Sequence, residues 1–199
     1  MKETLKLGLV LAAFAAGACV ALALVYTVTG PTIEGHEIKQ LEMSLKELFP
    51  AADSFRALDG DVAPKDGSVK FDQTYEVTRA GAPLGVAIKV RGSSYGGDTT
   101  MLVGVGTDRR ITGVKVLDIK DTPGLGANAK SPTYFVDKST KTTFPGQFAG
   151  KPLSDPFEVK KDVVAITAST ITSKALTNMV KQAGIAAAEY LERSAQGGK

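Results

Sequence analysis

Apolar and polar positions follow a succession of different rhythms along this chain, and each rhythm predicts an element. From Leu7 to Thr29 no residue is charged and Leu, Val, Ala and Phe dominate. A helix over that run is roughly 35 Å long, enough to cross a bilayer core of about 30 Å. Gly30-Pro31 predicts its end. Beyond it, Ile38, Leu41, Leu45 and Leu48 recur at helical spacing with Glu42, Lys46 and Glu47 between them. That pattern predicts an amphipathic helix from about His36 to Phe49, stopped by Pro50. Residues 51–68 carry only turn signals, Asp59-Gly60-Asp61 and Lys65-Asp66-Gly67.

The rhythm then changes to a period of two. Val69 to Thr78, Val86 to Val90, Met101 to Val105 and Ile111 to Ile119 read as strands, separated by Gly81-Ala82-Pro83, Ser93 to Asp98 and Thr107 to Arg110. Gaps this short favour antiparallel pairing. Residues 120–162 are rich in Gly, Pro, Lys and Thr without a period, and a stretch so long and irregular usually has a task. Val163 to Ile166 reads as a last strand. Leu176, Met179, Val180, Ala183, Ala187, Tyr190 and Leu191 then form one apolar helical face that can dock on a sheet, before a polar tail from Ser194 to Lys199. The class predicted is α+β: an antiparallel sheet with flanking helices after a single apolar N-terminal helix, with no internal repeat.

Composition narrows the picture. The chain is 43% hydrophobic and 23% charged, as globular proteins are, and its net charge is +3. Lys and Arg are scattered and no basic face with aromatics emerges, so nucleic acid is not an expected partner. Lys2 and Lys6 precede the apolar run, and Glu34 and Glu37 follow it. The positive-inside rule then keeps the N-terminus in the cytoplasm and sends the rest across a prokaryotic cell membrane, with Tyr26 near the far interface. A cleaved signal peptide would have a shorter apolar region of about 7–15 residues, so an uncleaved anchor in the lipid bilayer is the expectation. Cys19 is the sole cysteine and His36 the sole histidine, which leaves no Cys/His metal site or iron–sulfur cluster within this chain.

One stretch concentrates chemistry. Thr167-Ala168-Ser169-Thr170-Ile171-Thr172-Ser173 carries five hydroxyls in seven residues, between the last apolar run and the last helix. Unpaired backbone N–H groups and the positive end of the dipole meet at a helix start, which makes it a place for phosphate; Ser and Thr there also simply cap the helix. Two glycine loops, Tyr95-Gly96-Gly97 and Thr122-Pro123-Gly124-Leu125-Gly126, flank one strand pair at the ends that antiparallel pairing brings together. They can be ordinary turns, or they can admit the close approach of a flat ligand. Neither has the context of a P-loop or a Rossmann fingerprint. His36 is remote from the serines, so no Ser-His-acid arrangement is suggested, and Asp118 and Asp121 read as solvated turn carboxylates.

Taken together, the order of an apolar span, Tyr95-Gly96-Gly97-Asp98, a strand pair, Asp121 to Gly126, Gln147-Phe148-Ala149-Gly150-Lys151 and Thr167 to Ser173 resembles the G subunit of the Rnf ion-translocating ferredoxin:NAD oxidoreductase. More broadly it resembles the FMN-binding domain shared with the C subunit of the sodium-pumping quinone reductase. The resemblance covers nearly the whole chain. It implies FMN held covalently through a phosphoester to the last hydroxyl of a Ser/Asp-Gly-Ala-Thr-x-Ser/Thr signature. Thr167, Ala168, Ser169, Thr170, Ile171 and Thr172 occupy those six places, which makes Thr172 the implied attachment residue. Ala168 and Ser169 depart from the signature's Gly and Ala, and Asp121 stands where the family has Glu.

The resemblance further implies cofactor contacts from Thr170, Ser173, Ser169 and Thr167, with Tyr95, Gly96, Gly97, Thr122, Pro123, Gly124, Leu125 and Gly126 bordering the flavin ring. It implies an electron-relaying subunit of a translocase, coupled to Na⁺ or H⁺ movement. The other Rnf subunits and a flavin transferase would be partners, with ferredoxin and NAD reached only indirectly. The corresponding organisation is an anchor over 1–30, a connecting helix and linker over 31–68, an extracytoplasmic FMN-binding domain over 69–194 and a flexible tail over 195–199. A C-type quinone-reductase subunit and a tethered module without cofactor are the alternatives.

Overall fold

The structure is a computed structural model. It describes residues 2–58, 60 and 62–197, and of residues 31–34, 196 and 197 the backbone alone. Two compact units divide the chain, Met1–Glu42 and Met43–Lys199. Helix α1 runs over Lys2–Leu48 and is long and apolar enough to cross a membrane. The expected break at Gly30-Pro31 does not occur: α1 continues through both residues. A proline inside a helix forfeits one hydrogen bond and crowds the carbonyl four residues back, at about 3 kcal/mol. That cost is confined to one turn, and the long apolar run before Pro31 and the amphipathic pattern after it both continue as helix. Thr27 and Thr29, just before it, satisfy their hydroxyls on the carbonyls of Leu24 and Val25 at 2.8 and 2.9 Å, as a polar group in an apolar helix must.

The second unit is built on a five-stranded antiparallel meander, β1 (Ser54–Leu58), β2 (Val69–Arg79), β3 (Ala82–Ser93), β4 (Asp98–Gly106) and β5 (Ile111–Ile119), in that spatial order. Strand β1 is not legible in the sequence, because Ser54-Phe55-Arg56-Ala57-Leu58 has no clean alternation and exposes most of its length at the sheet edge. Of the Asp59-Gly60-Asp61 turn, Asp59 and Asp61 lie outside the described residues. The β2–β3 hairpin closes on Ala80 and Gly81, both at positive φ (50° and 78°), the pairing that a two-residue turn of the primed type requires.

Strand periodicity sorts the sheet into two buried faces. On one lie Val86, Ile88 and Val90 of β3 opposite Val105, Val103 and Met101 of β4. Helix α2 (Thr170–Gly197) covers this face with Leu176, Met179, Val180, Ala183 and Ala187, all essentially inaccessible. On the other face Gly104 of β4 pairs with Gly113 of β5 and with Ala87 of β3, and together with Gly85, two residues before Ala87, they leave a bare floor. Phe49 occupies it so closely that a Cβ on Gly85 or Gly104 would stand 2.9 Å from its ring, and one on Gly113 would stand 2.7 Å from Leu48. Glu47 adds an ion pair to Lys115 at 2.7 Å.

The connection from β5 to α2 is less irregular than its composition suggests. It contains two short 3₁₀ turns, Gly126–Lys130 and Gly146–Phe148, and a small hairpin of β6 (Phe135–Asp137) and β7 (Thr142–Thr143). Phe144, Phe148 and Phe157 are buried beneath it, with ring centroids 5.6 and 6.3 Å apart. The strand expected over Val163 to Ile166 is not formed. Gln147 takes the place of a neighbouring strand there, its amide oxygen accepting from the Val164 N–H at 2.8 Å and its NH₂ donating to the Val164 carbonyl at 3.1 Å. At the far end α2 extends to Gly197, so residues 194–197 of the expected tail are helical, and 198 and 199 lie outside the described residues.

Candidate functional site

At the start of α2 the chain turns sharply. Ala168 takes the left-handed conformation, φ 58°, which costs an L-residue about 1–2 kcal/mol. Ser173 fixes the turn from inside: its hydroxyl donates to the Ser169 carbonyl and accepts from the Ile166 N–H, both at 2.9 Å, and it is fully buried. The Ser173 N–H bonds back to the Ser169 carbonyl at 2.9 Å. The N–H groups of Thr170, Ile171 and Thr172 therefore precede the first intrahelical bond, where a helix has donors to offer an anion.

Asp121 joins this helix start to the sheet. Its sequence context predicts a solvated turn carboxylate, but it is only 6% exposed. One carboxylate oxygen accepts from the Gly96 N–H at 2.6 Å and from the Ser94 hydroxyl; the other accepts from the Thr172 hydroxyl. Burial alone would push this carboxyl up, but the hydrogen bonds from Ser94, Thr172 and Gly96 together hold it below the ordinary aspartate range. The two glycine loops are thereby pinned to each other and to α2, as antiparallel pairing of β4 and β5 predicts.

Between them opens a cleft of about 450 Å³, within the range of small-molecule sites. Thr172 and Thr170 line it from α2, Ser169 from the residue just before α2, Thr122, Leu125 and Gly126 from the loop after β5, and Tyr95 from the loop before β4. Asp121, Ala168 and Ile171 line it as well, residues not marked as contacts from sequence. Gly126 has to be glycine: a Cβ there would stand 2.7 Å from the Thr172 hydroxyl oxygen and fill the approach to it. Gly96 is equally constrained, since its Cβ would sit 2.6 Å from the Lys120 carbonyl.

The remaining sequence-marked residues stand outside the lining. Ser173 is committed inside the turn, and the exposed Thr167 donates its N–H to the Tyr134 hydroxyl at 3.2 Å. Gly97 and Gly124 adopt positive φ, 128° and 79°, and shape their loops, as Pro123 does, without reaching the cleft. Beyond α1, the large apolar side chains standing exposed among the described residues are Tyr95, Leu125, Val164 and Ile171, and three of these four rim the cleft. A hydroxyl floor at a helix start beneath an apolar rim fits a flat aromatic group carrying a phosphate. Among the described residues no cluster of His, Cys, Asp and Glu could hold a metal ion.

Comparison with known proteins places two parts of the chain in described families. Residues 94–184 match the FMN-binding domain family, and residues 1–48 match the RnfG N-terminal region. Over 195 residues the chain is 33% identical to the G subunit of the Na⁺-translocating ferredoxin:NAD⁺ oxidoreductase complex of Acetobacterium woodii, covering 90% of this chain and 89% of that one. The chain belongs to the G-subunit family of ion-translocating oxidoreductases. The G subunit of the proton-translocating complex of Clostridium ljungdahlii is 30% identical over 81% of this chain and 80% of its own. The G subunit of the ion-translocating oxidoreductase complex of Vibrio cholerae is 30% identical over 96% and 91%. A solved structure, NqrC of Shewanella oneidensis, is similar at 19% identity and a TM-score of 0.44 over 67% of this chain and 65% of that one, a likeness too loose to argue from.

For this member of the G-subunit family, what the sequence marks least is the acid. A single Asp before Thr-Pro-Gly carries no periodic signal, and only the pairing of β4 with β5 puts it opposite Ser94 and Gly96. Ser94, the first residue of the FMN-binding family match, is likewise legible only as part of a loop.

Proposed function

We propose that this chain is the membrane-anchored flavoprotein subunit of an ion-translocating ferredoxin:NAD⁺ oxidoreductase, carrying FMN as a phosphoester on Thr172. The observation that carries the reading is the position of the Thr172 oxygen. It lies at the floor of the cleft, on the first turn of α2, beside N–H groups that precede the first intrahelical bond. A phosphodiester there would be met by those donors and by the positive end of the helix dipole. Thr170 would add a hydroxyl donor from the exposed side of the same turn. Tyr95, Leu125 and Ile171 would flank the ring system and keep water from its faces.

FMN, when bound, supplies the electron-carrying chemistry, and the protein supplies attachment, orientation and exclusion of solvent. A covalent link suits a carrier that faces away from the cytoplasm, where lost cofactor is not replaced. Lys2 and Lys6 at the start of α1 support a cytoplasmic N-terminus and a main domain on the opposite side. The ion path belongs to other subunits in this reading, because α1 has no Asp, Glu, Lys, Arg or His between Leu7 and Thr29. Co-expression with a flavin transferase, followed by denaturing electrophoresis, tests the proposal: in-gel flavin fluorescence is expected from the native chain and not from Thr172→Ala. Fluorescence that survives Thr172→Ala overturns the attachment assignment.

A further inference from the structure

We propose that Asp121 is the base that activates Thr172 for its own flavinylation, so that the acceptor chain supplies part of the catalytic machinery of the transfer. The inference rests on the attachment reading given above. It starts from a contact that cap and cofactor-binding roles leave unexplained: the Thr172 hydroxyl donates to a carboxylate oxygen of Asp121 that has no other hydrogen bond among the described residues. The second carboxylate oxygen is held by Ser94 and by the Gly96 N–H at 2.6 Å. Two donors fix the carboxylate on one side, and the free side faces the nucleophile.

The chemistry of the transfer requires such a partner. Free FMN is a phosphate monoester without a good leaving group, so the donor has to be an FMN-containing dinucleotide pyrophosphate. Thr172 Oγ1 attacks the FMN-side phosphorus, the Oγ1–P bond forms, and the P–O bond of the pyrophosphate bridge breaks. The nucleoside monophosphate leaves with the bridging oxygen. The hydroxyl proton passes to the Asp121 carboxylate and from there to solvent. An unassisted threonine hydroxyl is a weak nucleophile at neutral pH, and a positioned carboxylate contributes typically 10²–10⁴-fold to such a step. Hydrogen bonds that keep the Asp121 carboxylate ionised have it ready to accept the proton. Thr172 itself is 1% exposed, so the donor reaches it only along the cleft that Asp121 also lines. Once the ester has formed, Thr172 has no hydroxyl hydrogen left to give. The contact with Asp121 therefore serves the chain before loading and not after it.

The test follows FMN incorporation by intact mass, using purified full-length chain in detergent, a flavin transferase and FAD as donor. Asp121→Asn keeps the shape of the side chain and an oxygen for Ser94 and Gly96, but cannot take a proton from Thr172. It is expected to lower the rate constant at saturating FAD by about 100-fold or more, with the half-saturating FAD concentration unchanged. Asp121→Glu is expected to restore the rate to within about tenfold of native. Ser94→Ala removes one of the two donors that position the carboxylate but leaves the base, so its rate is expected to fall by about tenfold or less, and Asp121→Glu decides the matter if Asp121→Asn does not fold. Native-like incorporation in Asp121→Asn overturns the proposal. So does a loss in Ser94→Ala or Asp121→Glu equal to that in Asp121→Asn, which would make Asp121 a structural staple. A native chain that takes up no FMN removes the attachment reading and this proposal together, a result distinct from a native chain that loads and an Asp121→Asn chain that loads equally well.

Discussion

Ala168 shows how much a single backbone angle can decide at this site. The family signature has glycine at that place, and φ 58° is a conformation glycine adopts freely while alanine strains. Ala168→Gly relieves the strain but makes the unfolded chain more flexible, so the net gain is expected to be about 0.5–1 kcal/mol. Thermal unfolding of the detergent-solubilised chain checks it, with a rise of about 1–4 °C expected; a fall would mean that the turn is not strained. The hydroxyls differ from one another in the same way. Thr172→Ser keeps a nucleophile and is expected to load FMN, whereas Ser173→Ala removes a bond to the Ile166 N–H and one to the Ser169 carbonyl and is expected to cost stability instead. Seven residues with five hydroxyls advertise a site in the sequence, but which oxygen faces the cleft depends on a helix start and a left-handed turn. Asp121 looks solvated in the sequence for a related reason: its burial is produced by loops that meet only after β4 and β5 pair.

Elements with a strong period are the most legible. Strand β5 has the bounds its alternation predicts, and the apolar stripe of α2 is the stripe that packs on the sheet. The failures occur where side chains replace backbone partners or where a local rule is overruled. The apolar run Val163 to Ile166 reads as a strand, but the Gln147 side chain bonds the Val164 backbone where a neighbouring strand would, and Pro31 does not stop α1. The glycine floor across β3, β4 and β5 carries a test of its own. Gly104→Val would drive a side chain into the ring of Phe49 and is expected to destabilise by about 1–3 kcal/mol, measured by denaturant titration. In the connection, Phe148→Ala empties the centre of an aromatic cluster and is expected to cost about 3–5 kcal/mol. An unchanged midpoint for Phe148→Ala would mean that the stretch from residue 120 to 162 folds without its Phe cluster.

At the scale of the whole molecule, one carboxylate couples the cleft to acid stability. Asp121 titrates below its ordinary value in the folded chain, so its contribution is complete above about pH 4 and is lost as pH falls through the folded value. Unloaded chain is expected to lose stability in that acid window, and Asp121→Asn to flatten the loss, as followed by circular dichroism against pH. The rest of the fold serves the same site: the sheet pairs the loops, α2 supplies the helix start, and α1 offers a span long enough to hold the chain at a membrane. Whether Thr172 carries FMN is read from the intact mass of the chain extracted from membranes of cells that also express a flavin transferase. The expected values are the mass of the native chain with α1 retained, plus one FMN less one water, and the unmodified mass for Thr172→Ala. A native chain without the addition, or an addition that persists in Thr172→Ala, would contradict attachment at Thr172.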